Sequence, residues 1–585
     1  MANHRKSPDM KRGLSQVLYN YLPEKTFDLV GGKRIAQISQ VKGETVRSLS
    51  DPVRIHREIM KYLSKWEDDF KRGFSNNSET YIYEKPRTVK YDIFPLVFRC
   101  LRCKRVYSYM DYENIKRYNP NLKCLKGLDC KGQPLKQIYH VAVHECGGIT
   151  GLYPLQPENC HCQNWRDHIS LDERKSQKVA DFRWLCKNCN SEREVRYYCN
   201  QCNLPNREMS VSPHRAGKNY YTHSVRCVDV AESNYLNKWQ DDVKKYLGTN
   251  NETGFSTNGI EDLLENMPEE LRNELRKRAQ GSSGYDVKAI DSEVGSTLHE
   301  YLETQNPNVM TSRNIEAKAE ELGERNPDLR QLLLGNAEKF RELGIIDIVI
   351  IEDFPVVTAV FGYTRVSPLP LDPNGRETVI NSFRLYGGEG GKIPVFTDNG
   401  RCEAMMFKVN PLEVVRWLED NNFEVDLGER NEKSARYWLL KNMETFNQYD
   451  QLTGKTVTKF VYGLIHSLAH AVMKSLAGIS GFELTGLSEY VFPHALAFVI
   501  YSNKTDFSIG GIHTLFETQL DLLIDKLVSG EIRICLYDPL CREKEGSCHA
   551  CMYLPEISCW AFNKNLSRHY LYGGPEVKGY WEGKF

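Results

Sequence analysis

Apolar positions recur at two periods along the 585-residue chain. In "RIHREIMKYLSKWEDDFKRGF" (54–74), Ile55, Ile59, Tyr62, Leu63 and Trp66 fall on one face of a 3.6-residue repeat, which predicts an amphipathic helix. Residues 260–343 carry the same period in charged surroundings, as in "IEDLLENMPEELRNELRKRAQ" and "NPDLRQLLLGNAEKFRELG", and read as a helical region. The pattern then changes. "IIDIVIIEDFPVVTAVFGYTRV" (345–366) is rich in β-branched residues and predicts strand. Helices return at "NPLEVVRWLEDN" and "NEKSARYWLLKNMETFNQYD". The last 130 or so residues predict helix (458–478), strand (495–503), helix (511–528) and strand "IRICLY" (532–537), followed by a cysteine-rich tail.

This ordering gives an α+β multidomain chain, divided as 1–95 (mixed), 96–230 (cysteine-rich and zinc-ribbon-like), 260–343 (helical), 344–454 (mixed α/β) and 455–585 (mixed α/β with a four-cysteine site). The Gly-, Asn- and Thr-rich "GTNNETGFSTNG" (248–259) reads as a linker. No apolar run reaches the ~18 residues that a membrane span needs. The basic start "MANHRKSPDMKRG" lacks the apolar stretch of a signal peptide, so the expected compartment is the cytoplasm, with no membrane partner.

Cytosolic thiols stay reduced, so the 18 cysteines point to metal rather than to disulfides. In "CREKEGSCHACMYLPEISC", Cys541, Cys548, Cys551 and Cys559 offer four thiolates around a CxxC turn, enough to close a structural zinc shell. A redox CxxC needs no outer cysteines. Cys535 reads as a core residue of the preceding strand, with Cys541 as the ligand it could replace. "CLRC" (Cys100, Cys103) with "CLKGLDC" (Cys124, Cys130) forms a second group, and "CKNC" (Cys186, Cys189) with "CNQC" (Cys199, Cys202) a third. Two or three zinc ions are therefore expected. Cys146, Cys160, Cys162 and Cys227, with His144 and His161 nearby, cannot be paired from spacing.

Net charge is zero, yet residues 96–230 hold 22 Lys and Arg against 13 Asp and Glu. Two four-thiolate zinc sites would lower that excess of nine to five. Arg102, Lys104, Arg105, Arg193 and Arg196 flank the proposed zinc loops and are candidate phosphate contacts, with a plain solvated face as the alternative.

His466 and His470, in "LIHSLAHAVMKSLAG", share a helix face at i and i+4. No Glu follows His466, so the metalloprotease pattern HExxH fails, and the apolar neighbours favour a satisfied core pair over a ligand pair. "GGEGGKIPVF" (387–396) lacks the Ser/Thr of a P-loop and reads as a loop. "SIGGIHTLFE" offers a glycine turn before a helix, either a phosphate cradle or a tight connection, and the second reading is favoured.

The ordered combination of "LIHSLAHAVMKSLAG", "LAFVIYSNKTDFSIGGIHTLFE" and "YDPLCREKEGSCHACMYLPEISCWAFNKNLSRHYLYGG" resembles the C-terminal domain of the DrmB family of the bacterial DISARM anti-phage system. A similar domain ends the MrfA family of DNA-repair helicases. The resemblance covers about residues 455–574 and extends loosely to the "CLRC" and "CKNC" region. It implies a non-catalytic zinc-binding subunit that engages DNA with a superfamily 2 helicase, DrmA-like, and it implies Cys541, Cys548, Cys551 and Cys559 as zinc ligands. No P-loop or helicase box is evident, so ATP hydrolysis is expected from the partner chain. The competing expectations are a nuclease or phosphodiesterase using His466, His470 and His513, and a stand-alone zinc-ribbon regulator of nucleic acid.

Overall fold

A computed structural model of the protein describes residues 11–229 and 312–584, apart from 30–33, 50–51, 126–129, 131, 177, 387–390, 445, 482, 503–510, 531, 556–557 and 560. Helices and strands are mixed throughout, as an α+β chain requires. Two compact units emerge: Met1–Cys227 with Val357–Asp398, and Val228–Val356 with Asn399–Phe585. Much of the helical region expected at 260–343, the linker at 248–259, Gly387–Gly390 and most of the turn before "IHTLFE" lie outside the described residues.

The first unit opens with helix Leu14–Asn20 and an antiparallel run of Thr26–Asp28, Ile35–Thr45 and Tyr81–Ile93. Tyr81–Ile93 continues in parallel with the start of Ile393–Val409. Leu18, Leu22, Phe27, Ile38, Phe383 and Phe396 fill the core beneath. The amphipathic helix spans Pro52–Leu63 and buries Ile55, Ile59, Tyr62 and Leu63, as its period demands. It stops earlier than 74. The Ser64 hydroxyl donates to the Lys61 carbonyl, and Trp66 packs inward from the turn beyond.

Three small sheets follow. Their strand orders are Val106–Ser108/Val97–Cys100/Leu135–Gln137, Ser210–Pro213/His140–Val143/Ile149–Gly151 and Ile169–Asp172/Arg183–Cys186/Glu192–Glu194. Strands of three or four residues bury too little apolar surface to hold themselves together, so this region needs staples.

The second unit is built around helix Val457–Ser480. Thr456 caps its start by accepting the Lys459 N–H, and Gly481 ends it at a positive φ of 70°. Leu464, Ile465, Leu468, Ala471 and Val472 are wholly buried, so the helix is apolar nearly all round. The hairpin Leu487–Phe492/Ala497–Ser502 lies in this unit and pairs antiparallel with residues 404–408 of Ile393–Val409. Helices Pro327–Glu342 and Pro411–Asp420 each start with proline behind an asparagine cap, Asn326 and Asn410. The helix expected at 511–528 is two helices, Ile512–Thr518 and Leu520–Ser529, meeting at Gln519.

The strand expected at 532–537 does not form. These residues turn, with Ile534 and Leu536 left 78% and 93% exposed and Cys535 buried. Asp538 accepts the Cys535 N–H at 3.0 Å and fixes the turn. Side-chain placement of one cysteine overrides the β-propensity of its neighbours. Among the described residues no helix is long and apolar enough to cross a membrane.

Candidate metal centres

Zinc holds thiolates at about 2.3 Å, so four sulfurs at the corners of a tetrahedron stand about 3.8 Å apart. Among the described residues, five groups of four side chains bring their ligand atoms within 4.8 Å of one another. They use sixteen of the cysteines, and none of the eighteen forms a disulfide.

Cys100, Cys103, Cys124 and Cys130 gather as one set, the grouping read from the sequence. Sulfur separations of 3.8 Å (Cys103–Cys124) and 3.5 Å (Cys124–Cys130) match the tetrahedral edge. The CLRC turn is a knuckle. Lys104 N–H returns to the Cys100 carbonyl at 2.9 Å, Cys100 N–H reaches Arg105 O at 3.0 Å, and Lys104 takes a positive φ of 60°. The same turn recurs at CKNC: Asn190 N–H to Cys186 O at 2.8 Å, Cys186 N–H to Ser191 O at 3.0 Å, and φ of 58° at Asn190. Both turns are closed by these backbone bonds and bring two sulfurs to one point.

The third expected group does not exist as a unit. Cys186 and Cys189 stand with Cys160 and Cys162, while Cys199 and Cys202 stand with His144 and Cys146. In the first set the sulfurs of Cys162–Cys186 and Cys160–Cys189 are 3.9 and 3.5 Å apart. Asn188 donates to Cys162, and the Ser191 side chain and backbone hold the exposed Cys189 thiol down at about 6. In the second, Cys146–Cys199 is 3.6 Å, Cys199–Cys202 3.8 Å and Cys202 to His144 Nδ1 3.6 Å. His144 Nε2 donates to Asn206 O at 2.9 Å, which leaves Nδ1 with its lone pair toward the thiols. The physical reason is nesting. The hairpin His140–Val143/Ile149–Gly151 carries His144 and Cys146 back to the outer CxxC, and strand Ile169–Asp172, pairing with Arg183–Cys186, closes the inner one. The short-spaced pairs His144-x-Cys146 and Cys160-x-Cys162 are the sequence signal for it.

The C-terminal set is also regrouped. Cys541, Cys548 and Cys551 are joined by Cys535 and not by Cys559. Separations are 3.4 Å (Cys535–Cys548), 3.7 Å (Cys541–Cys551) and 3.7 Å (Cys548–Cys551). Arg568, nearly fully buried, pairs with Asp538, whose other oxygen takes the Cys535 N–H. That chain of contacts places Cys535. Cys559 instead lies against His466, His470 and Glu489. The other four sets offer four thiols, or three thiols and an imidazole, which is the donor chemistry of a closed structural zinc shell.

Of the basic residues read as phosphate contacts, Arg102, Lys104 and Arg196 are exposed, and Arg105 and Arg193 are half-buried. Arg196 pairs with Glu194 at 2.7 Å, and Arg193 donates to Gln156 O at 3.1 Å. Lys187, on the CKNC turn, donates to the Cys103 carbonyl and so ties the two knuckles together. His466 and His470 are both 0% exposed, which denies a substrate phosphate access to them, and His513 pairs with Glu517 at 3.2 Å.

Residues 13–237 match a family model described as a domain of unknown function (DUF8724). Over 188 residues, 29% of this chain, the sequence is 28% identical to the DISARM protein DrmB of Bacillus paralicheniformis. The match spans about a third of that relative, 31% of its length, and the chain is thus a distant, partial relative of a DISARM protein.

Proposed function

We propose that the chain is a non-catalytic, zinc-binding subunit of a DISARM-type defence system that engages DNA with a superfamily 2, DrmA-like helicase. The observation that carries the reading is the C-terminal cysteine segment. It resembles the DrmB C-terminal domain, and a partial match of the chain to a curated DrmB, 28% identical over 188 residues, supports the same family reading. Sulfur spacings of 3.4–3.9 Å support zinc as the ion at Cys535/Cys541/Cys548/Cys551 and in the three N-terminal sets. Closed shells make these ions structural, and the sequence lacks the phosphate loop an ATPase needs.

DNA contact is assigned to the knuckle region. Two four-thiolate zinc sites and one of three thiolates with histidine carry about five net negative charges, reducing the excess of nine within 96–230 to about four. Arg102 and Lys104, exposed on the CLRC turn, and Arg196, also exposed, are the stronger candidates, while Arg105 and Arg193 are half-buried.

The test uses the full chain, co-expressed with the DrmA-like helicase of its own genome. Complex formation and DNA affinity are measured separately for wild type and for Arg102→Glu with Lys104→Glu. The expected result is an intact complex, weaker DNA binding for all sequences, and a shallower salt dependence. Unchanged DNA affinity with loss of the helicase makes this face a protein interface and overturns the assignment. Failure to co-purify with the helicase overturns the partnership itself.

A further inference from the structure

Cys559, displaced from the four-cysteine set, completes a different arrangement. His466 and His470 project from one face of helix Val457–Ser480, Glu489 from strand Leu487–Phe492, and Cys559 from the tail. All four are 0% exposed. Ser558 O accepts the Glu489 N–H at 3.2 Å, which seats the tail on the strand and brings Cys559 to the pair.

The protons of the imidazoles are assigned by their outer partners. His466 Nδ1 lies 3.0 Å from Lys564 O and His470 Nδ1 2.7 Å from Met552 O. A carbonyl only accepts, so each Nδ1 carries a hydrogen, and a metal-binding ring would then present the lone pair of Nε2 inward. Both Nε2 atoms then face the same oxygen, Glu489 Oε1, at 2.9 and 3.0 Å. Cys559 Sγ stands 3.4 Å from His466 Nε2. Glu489 Oε2 is buried with no hydrogen-bond partner. Four electron-pair donors thus converge in a dry site. Unfilled, such a site costs the repulsion of its lone pairs and the desolvation of a carboxylate.

We propose that this is a fifth metal site, binding one divalent transition ion of the zinc class through His466 Nε2, His470 Nε2, Glu489 Oε1 and Cys559 Sγ. The ion's two positive charges cancel one carboxylate and one thiolate, so the buried centre is neutral. The sulfur edge fits: a nitrogen at ~2.05 Å and a sulfur at ~2.3 Å subtend about 3.5 Å on a tetrahedron, and the two nitrogen–oxygen edges of 2.9 and 3.0 Å need only open toward the ~3.3 Å of a filled shell. The outer carbonyls orient the imidazoles as they do at known metal-bound histidines. With no open face to solvent, the ion pins helix, strand and tail together and performs no chemistry. The i, i+4 histidines are ligands here, against the core-pair expectation.

The experiment is X-ray absorption at the zinc edge, with elemental analysis, on wild-type full-length protein. Five filled sites give four nitrogen or oxygen ligands over five ions. Without the fifth they give one over four. Five ions per chain with the higher nitrogen/oxygen fraction is expected. Glu489→Gln and Cys559→Ser should each lose one ion and return the lower fraction, with Cys535, Cys541, Cys548 and Cys551 still protected from alkylation. Because those variants could unfold, the wild-type measurement decides alone. Four ions per chain with one nitrogen ligand among them overturns the proposal, and His466 and His470 are then protonated partners of Glu489. The outcome is independent of any helicase or DNA.

Discussion

The regrouping of the N-terminal cysteines can be tested by a pair of substitutions chosen from opposite sets. Cys186→Ser opens the site with Cys160, Cys162 and Cys189, and Cys199→Ser opens the site with His144, Cys146 and Cys202. Contiguous pairing puts both residues in one site, so the double variant would lose one ion, as each single variant does. Nested pairing makes the losses add: one ion for each single, two for the double. The energetic consequence is large. Structural zinc contributes on the order of 10 kcal/mol to folding in small domains, against about 2–5 kcal/mol for a core truncation to alanine. The sheets these ions staple have strands of only three or four residues. Elemental analysis gives the ion count. Alkylation followed by mass spectrometry gives the residues: in Cys199→Ser, Cys146 and Cys202 should react while Cys160, Cys162, Cys186 and Cys189 stay protected. A double variant that loses no more metal than either single, or a Cys199→Ser chain whose Cys186 and Cys189 react while Cys146 does not, refutes the nested arrangement.

Asp538→Asn should strand the buried Arg568 and release the Cys535 turn, costing about 3 kcal/mol and speeding zinc loss to a chelator; an unchanged melting temperature and release rate would count against that role. Burial between Tyr62 and Thr364 holds His223 down at about 3, against an ordinary value of 6.5. The unfolded chain therefore takes up this proton first, so the stability is complete above about pH 6.5 and falls as pH drops toward 3, by about 2 kcal/mol at pH 5. Denaturant unfolding of wild type and His223→Gln at pH 5 and 7 should show the variant's slope shallower by close to one proton. Gly344 sits at a φ of 78°, where an added Cβ would lie 2.0 Å from the Tyr580 hydroxyl. Gly344→Ala should cost at least about 2 kcal/mol from left-handed strain and displaced Tyr580, read as a lower unfolding midpoint.

Local chemistry settled much of this protein in one dimension. Helix Pro52–Leu63 follows from the period of Ile55, Ile59 and Tyr62, and Val457–Ser480 from an apolar run capped by Thr456 and ended by Gly481. Strand Ile345–Thr364 follows from its β-branched run. Each CxxC marks a knuckle because the turn itself brings two sulfurs to one point. The first cysteine set was legible because both of its halves belong to one small sheet and its flanking loop. What a knuckle closes against was decided by the tertiary structure. A tetrahedral shell is completed by whatever strand the topology brings near, so hairpin pairing selected His144 and Cys146 for the outer CxxC and Cys160 and Cys162 for the inner one. At the C-terminus sequence distance misled for the same reason. Cys559 is eight residues from Cys551, yet the Ser558–Glu489 backbone contact draws it to the histidines, and Asp538 with Arg568 turns Cys535 inward to take its place. Spacing along the chain marks which residues come as pairs, and the packing of elements decides which pairs converge.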